Sequence, residues 1–250
     1  MKDILSNIQR NELEDIFNGK QSLICISDNL TKTVNTISYF RKHGIKADFL
    51  DLRKNKDYAD QKIKPVSWNL FSEMSIIREL HNENFEISQK LVDATVTGNI
   101  NIKYDVTMKK QMLNLVLWDM VSMNLEAFMS IENIAANVKT IGFVLSELET
   151  MPKPYEICES LAFVKAVTRD QYLNYAYSLY KSLTVSFKDL SEYPGTYHCE
   201  ELTTQSGLLV VLVDSKKKTR IGEFVISNMA RITTGNSGYH KAHKVLIPVA

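Results

Sequence analysis

Residues 22–52 read SLICISDNLTKTVNTISYFRKHGIKADFLDL, and this stretch decides the fold class. Ser22-Leu-Ile-Cys-Ile26 is a continuous apolar run, the pattern of a strand buried on both faces of a parallel sheet. Ser27-Asp28-Asn29 then supplies side chains that cap a helix N-terminus. A helix is expected over about 30–42, with Val34, Ile37, Ser38 and Phe40 near its inner face. His43-Gly44 is a stop signal. Ala47-Asp-Phe-Leu-Asp-Leu52 alternates and reads as a second strand. Strand, helix and strand within about thirty residues is the βαβ pattern, whose two strands run parallel.

Before this unit, Ile4, Leu5, Ile8, Leu13, Ile16 and Phe17 fall at helical spacings, and Asn18-Gly19 closes that segment. After it, residues 53–65 are rich in Lys and Asp and end at Pro65, a solvated loop. From Ser72 to about Tyr180 the period is helical. Asp105 to Met123 is the strongest segment, with Val106, Met112, Leu113, Val116, Leu117 and Met120 predicting a wide apolar stripe. Residues 130–148 continue in the same style, weakened by β-branched residues and Gly142. Pro152 and Pro154 break the chain, and Tyr155 to Phe187 predicts one or two further helices with Tyr172, Tyr175, Leu179 and Leu183 on one side. Strand character returns at Gly207–Asp214, followed by a helix over Ile221–Ile232 and a final apolar run, Val245–Val249. Pro248 suits that run to the end of a strand. The simplest solution puts both chain ends in one sheet, with residues 1–71 and 200–250 forming the sheet layer and 72–199 an inserted helical domain.

Composition limits the function. Of 250 residues, 44% are hydrophobic and 24% charged, ordinary for a globular chain. The net charge of +1 gives no electrostatic case for a dedicated nucleic-acid binder. Cys25, Cys158 and Cys199 are odd in number and widely spaced, which argues against a disulfide framework or zinc site and for a reducing compartment. The longest aliphatic run, Leu208–Val213, is far shorter than the roughly 20 residues a membrane-spanning helix needs.

The catalytic motifs are missing. Gly19-Lys20 is followed by Gln21, and Glu14 stands five residues earlier, so no P-loop cradles a phosphate. No glycine-rich dinucleotide fingerprint follows Ile26 and no nucleophile elbow occurs. Leu208–Asp214 superficially resembles a Walker B strand; the plainer reading is a strand closed by a turn-forming Asp. Asp28 and Asp214 are therefore the cofactor-binding candidates, and Asp28 with Asp51 would line a crevice if the chain were a nucleotide- or cofactor-dependent transferase. Lys216, Lys217, Lys218 and Arg220 form either a solvated turn or a small DNA- or phosphate-contacting patch. His240 and His243 share a three-residue spacing without a third ligand, and Cys25 in a strand reads as core.

One assembly of features is more specific. Ser22–Asn29, a helix, His43–Leu52 and then Ser67-Trp-Asn-Leu-Phe71 resembles the TraG/TraD-type coupling ATPases of type IV secretion and conjugation. There a strand ends in an Asp-Pro-Lys-Gly-Glu-like turn, a second strand follows the helix, and a Trp-Asn-Pro-Phe segment comes next. Tyr104–Met120 is similar to a helix of that family's all-α domain, and Gly207–Met229 to its return strand and helix. The resemblance covers about residues 20–250 and implies a partial RecA-like parallel sheet built from both chain ends, with the all-α domain inserted. The departures matter. Walker A would precede residue 20, Walker B acids would follow the last strand, and the Asp-Pro-Lys-Gly-Glu turn survives only as Ser27-Asp28-Asn29. No catalytic residue and no cofactor carries over. What the resemblance implies is a cytoplasmic recognition module for a secretion substrate, relaxase or relaxase–DNA complex, reaching a membrane only through partners. Single-stranded DNA or the remainder of a coupling ATPase are further partners it implies.

Overall fold

A computed structural model of the protein describes residues 9–53, 63–95, 103–187, 190, 195, 197–214, 219–234 and 244–249. The fold is mixed α/β and divides into two compact units, one from residues 1–68 and 194–250, the other from 69–193.

The first unit is built on a four-stranded sheet in the order β2-β3-β1-β4. Its elements are α1 (Arg10–Phe17), β1 (Gln21–Ser27), α2 (Leu30–Lys42), β2 (Lys46–Asp51) and, from the far end of the chain, β3 (Gly207–Leu212). Both chain ends thus share one sheet, and β1 and β2 are parallel but not neighbours, because β3 pairs in parallel with each. β4 (Lys244–Pro248) pairs with β1 antiparallel, so the sheet is mixed rather than parallel throughout. A five-residue apolar run carries no mark of its direction, which is why the expectation of a parallel sheet failed here. Pro248 lies opposite Gln21 at the end of this strand, where its missing N–H breaks no interior ladder.

The two faces of the sheet follow from strand alternation. Leu23, Cys25, Ala47, Phe49, Leu208, Val210 and Leu212 point to one side and pack with Ile16 of α1 and Ile37 and Phe40 of α2. Asn29 caps α2 by accepting the Lys32 N–H, and Gly44 at φ +79° allows the turn into β2. The opposite face receives the last helix of the sheet unit, Thr219–Thr234. It buries Val225, Ile226 and Met229, and its Gly222 lies so close that a Cβ there would meet Val213 at 3.0 Å and Ile26 at 3.4 Å.

Ser22 locks the amino-terminal edge of this sheet. Its buried hydroxyl accepts the Gly207 N–H at 3.0 Å and lies 2.8 Å from the Leu202 carbonyl and 3.1 Å from that of Gln205. Ser22→Ala should lower stability by about 1–2 kcal/mol, because it leaves a buried N–H and a carbonyl without their partner. Urea unfolding checks this, and a loss below a few tenths of a kcal/mol would contradict it.

Among its described residues the second unit contains helices and no strand. It contains α3 (Met74–His81), α4 (Glu86–Thr95), α5 (Lys103–Ser122), α6 (Ile131–Lys139), α7 (Ile141–Thr150), α8 (Tyr155–Lys165) and α9 (Arg169–Ser186); the sheet-packed helix Thr219–Thr234 is then α10. The two units meet at 68/69 and 193/194, whereas the bounds expected from sequence fall after 71 and 199. α5 is buried beyond its expected wide apolar stripe. Met112, Leu113, Asn114, Leu115, Val116 and Leu117 are six consecutive buried residues, so α5 is covered around its circumference and forms the centre of the unit. α6 and α7 are separate helices. The break falls at Thr140, whose ψ of 29° departs from the helix and whose hydroxyl bonds back to the Ala136 carbonyl, and not at Gly142.

Candidate functional site at the carboxyl edge of the sheet

β1 and β3 are adjacent and parallel, and their connections leave on opposite faces, α2 on one and α10 on the other. In open α/β sheets the carboxyl end of such a pair is where ligands bind. Strand register brings three sequence-predicted acids to this edge: Asp28 follows Ser27, which pairs with Leu212; Asp51 also pairs with Leu212; Asp214 lies two residues beyond it. The edge is tied together by backbone bonds from Val213 N–H to the Ser27 carbonyl and from Leu52 N–H to the Leu212 carbonyl, both 2.8 Å.

The three acids do not behave alike. Asp28 is exposed and Asp214 half-buried. Asp51 is buried, and Arg53 holds it. Nε lies 3.1 Å from each carboxylate oxygen, Nη2 donates to Oδ2 at 2.8 Å, and the Arg53 backbone N–H donates to Oδ1 at 2.8 Å. The crevice read from Asp28 and Asp51 thus contains one solvated carboxylate and one already neutralised by a bidentate partner. The turn between β1 and α2 has no glycine. Ser27 Oγ accepts the Asn29 N–H at 3.2 Å, and Asn29 accepts the Lys32 N–H at 3.0 Å, so side chains fill the place where a phosphate cradle presents bare N–H groups.

Among the described residues, no group of three His, Cys, Asp or Glu side chains is arranged to hold a metal ion. Lys216, Lys217, Lys218, His240 and His243 lie outside the described residues; Arg220 is exposed in the first turn of α10. Lys20 faces Asp15 at 3.7 Å on the surface. Cys25 is buried in the sheet, and desolvation pushes its thiol up to about 12, which leaves it without thiolate character at neutral pH. No described helix is long and apolar enough to cross a membrane.

Charge is divided unevenly between the units. Residues 69–193 hold eleven Lys and Arg against sixteen Asp and Glu, a net charge of −5; the remainder holds nineteen against thirteen, a net charge of +6. The near-neutral total conceals this. The phosphate-seeking candidates belong to the positive unit, and the helical unit repels a polyanion at long range.

In comparisons with known proteins, no family model and no curated protein matches this chain.

Proposed function

We propose that the protein is a non-catalytic recognition module akin to the TraG/TraD-type coupling proteins, with a RecA-like sheet and an inserted all-α domain that docks a secretion substrate or a relaxase–DNA complex. The observation that carries this reading is the chain path: one compact unit, Asn69–Tyr193, with helices and no strand among its described residues, comes between β2 and β3 of a single sheet. The glycine-free β1–α2 turn supports the non-catalytic half of it. Two titrations test the proposal. Calorimetry with Mg-ATP should give no binding heat; a micromolar Kd would overturn the non-catalytic reading. The relaxase encoded by the same mobile element, alone and bound to its single-stranded product, should be retained by the immobilised full chain. Loss of both interactions would remove the recognition role.

One observation favours a second reading, an α/β nucleotide- or cofactor-dependent transferase: the diverging connections at the carboxyl ends of β1 and β3. The Arg53 clamp on Asp51 counts against it, since that carboxylate has no oxygen to offer a ribose. Binding heat in the ATP titration, with a loss on Asp28→Asn, would support it.

A further inference from the structure

A surface groove in the helical unit lies at the junction of α6 and α7 and the first turns of α9, with a volume of about 560 Å3. Lys139, Thr140, Phe143, Arg169, Tyr172 and Leu173 line it, and no lining residue is acidic. This is a positive spot on a unit of net charge −5. Phe143 is 66% exposed and Leu173 36%, so two apolar side chains stand beside the two cations. Lys139 reaches along the same flank, with Nζ 5.4 Å from the centre of the Tyr180 ring.

The placement of Arg169 is informative. It is the first residue of α9, where the macrodipole is positive and a cation is unfavourable. Thr168 and Gln171 already satisfy the helix start through a reciprocal capping box. No ion pair engages Arg169 among the described residues. Its charge therefore costs α9 stability, and among the described residues no ion pair offsets that cost. Lys139 by contrast ends α6, where a cation is favourable, so Arg169 is the stronger indicator.

From this geometry we propose that the groove binds an acidic protein segment, with carboxylates on Lys139 and Arg169 and an adjacent apolar side chain against Phe143, Tyr172 and Leu173. The inference deepens the recognition reading above and rests on it for the biological partner. Charge complementarity selects the occupant: two cations match two or three carboxylates, whereas a nucleic-acid strand would bring many phosphates against a unit of negative net charge.

The test uses the full chain and a fluorescein-labelled peptide of alternating Glu-Glu-Leu and Gly, with a Gln-for-Glu copy. Anisotropy should detect the Glu peptide and miss the Gln copy. Arg169→Glu should weaken binding by about tenfold or more while leaving thermal stability equal or higher, because the new charge suits the helix start. A peptide with Lys in place of Glu should recover binding to that variant. Phe143→Ala, an exposed truncation, should weaken the Glu peptide without changing its salt dependence. Equal binding by wild type and Arg169→Glu would overturn the proposal, as would displacement of the peptide by oligo-dT, which would assign the groove to nucleic acid. Retention of relaxase by Arg169→Glu at wild-type affinity would also reject the groove as its dock while leaving the recognition function intact. Peptide binding with no relaxase binding would keep the groove and remove the conjugation reading.

Discussion

Replacing Arg53 by methionine should cost the sheet unit about 3 kcal/mol of stability at pH 7.5. The Asp51 side chain is fully buried at 0% exposure and that of Arg53 is 17% exposed, so water cannot replace the guanidinium. Methionine keeps most of the aliphatic bulk and removes the charge. What remains is a buried carboxylate whose bidentate partner has gone, and the size of the loss comes from that charge rather than from the strength of the pair itself. The double variant Asp51→Asn/Arg53→Met should therefore recover more than half of the loss. Urea unfolding monitored by a probe in the sheet unit checks both values. A single-variant loss under 1 kcal/mol would show that the pair does not hold the carboxyl edge. The result also bears on the site, since the single variant frees a carboxylate where a ligand crevice would lie.

Asp119→Asn should act in the opposite direction and stabilise the helical unit by about 2 kcal/mol at pH 7.5. Asp119 sits on the central helix α5 at 5% exposure, and its Oδ1 has no hydrogen-bond partner among the described residues. Burial first, and then the negative charge of Glu147 on α7, raise its carboxyl to about 6 from an ordinary value near 3.8. The interval corresponds to about 3 kcal/mol, from which the buried amide of Asn takes back a part. Between these two values the folded state binds more protons than the unfolded one. Stability from this group is therefore present below about 3.8 and lost as the pH rises through about 6. The wild-type protein should melt higher at pH 5 than at pH 7.5 through this group, and Asp119→Asn should flatten that difference. If the variant is less stable than wild type at pH 7.5, the carboxylate has a favourable role that burial alone does not describe. Glu147→Gln should reproduce a smaller part of the gain.

The strands and helices that bury a continuous or strictly periodic set of residues were legible from sequence. β1, α2, β2 and β3 fall within a residue or two of their expected limits because caps, a Gly stop and apolar runs all agree at 22–52 and 207–214. Relations between elements were not legible. Nothing in Val245–Val249 encodes that its strand runs against β1, and nothing in 22–52 shows that β3 will lie between the two strands of the βαβ unit. Periodicity in α5 showed only the apolar stripe, and nothing in it marks that Asn114 and Asp119 are buried as well. At the carboxyl edge, residue type pointed to Asp28, Asp51 and Asp214, but Arg53, two residues beyond Asp51, was overlooked as part of a charged loop. The groove residues went unnoticed for a related reason: Lys139 and Arg169 look like ordinary surface cations. The available signal was the sign of Arg169, a cation directly after the N-cap Thr168.

The position of β3 between β1 and β2 has a consequence for synthesis on the ribosome. β2 is finished at Asp51, but the strand that must separate it from β1 does not begin until Gly207. At roughly 5–20 residues per second, the first two strands wait about 8–30 s for their common neighbour. During that time residues 69–193 emerge in full, and the helix pairings of their unit need no residue made after them. The nascent chain thus carries the whole helical stretch while two apolar strands still lack their common neighbour. Slowing translation after the helical stretch should prolong that exposure and increase chaperone dependence, and a circular permutant that makes β3 soon after β2 should relieve it.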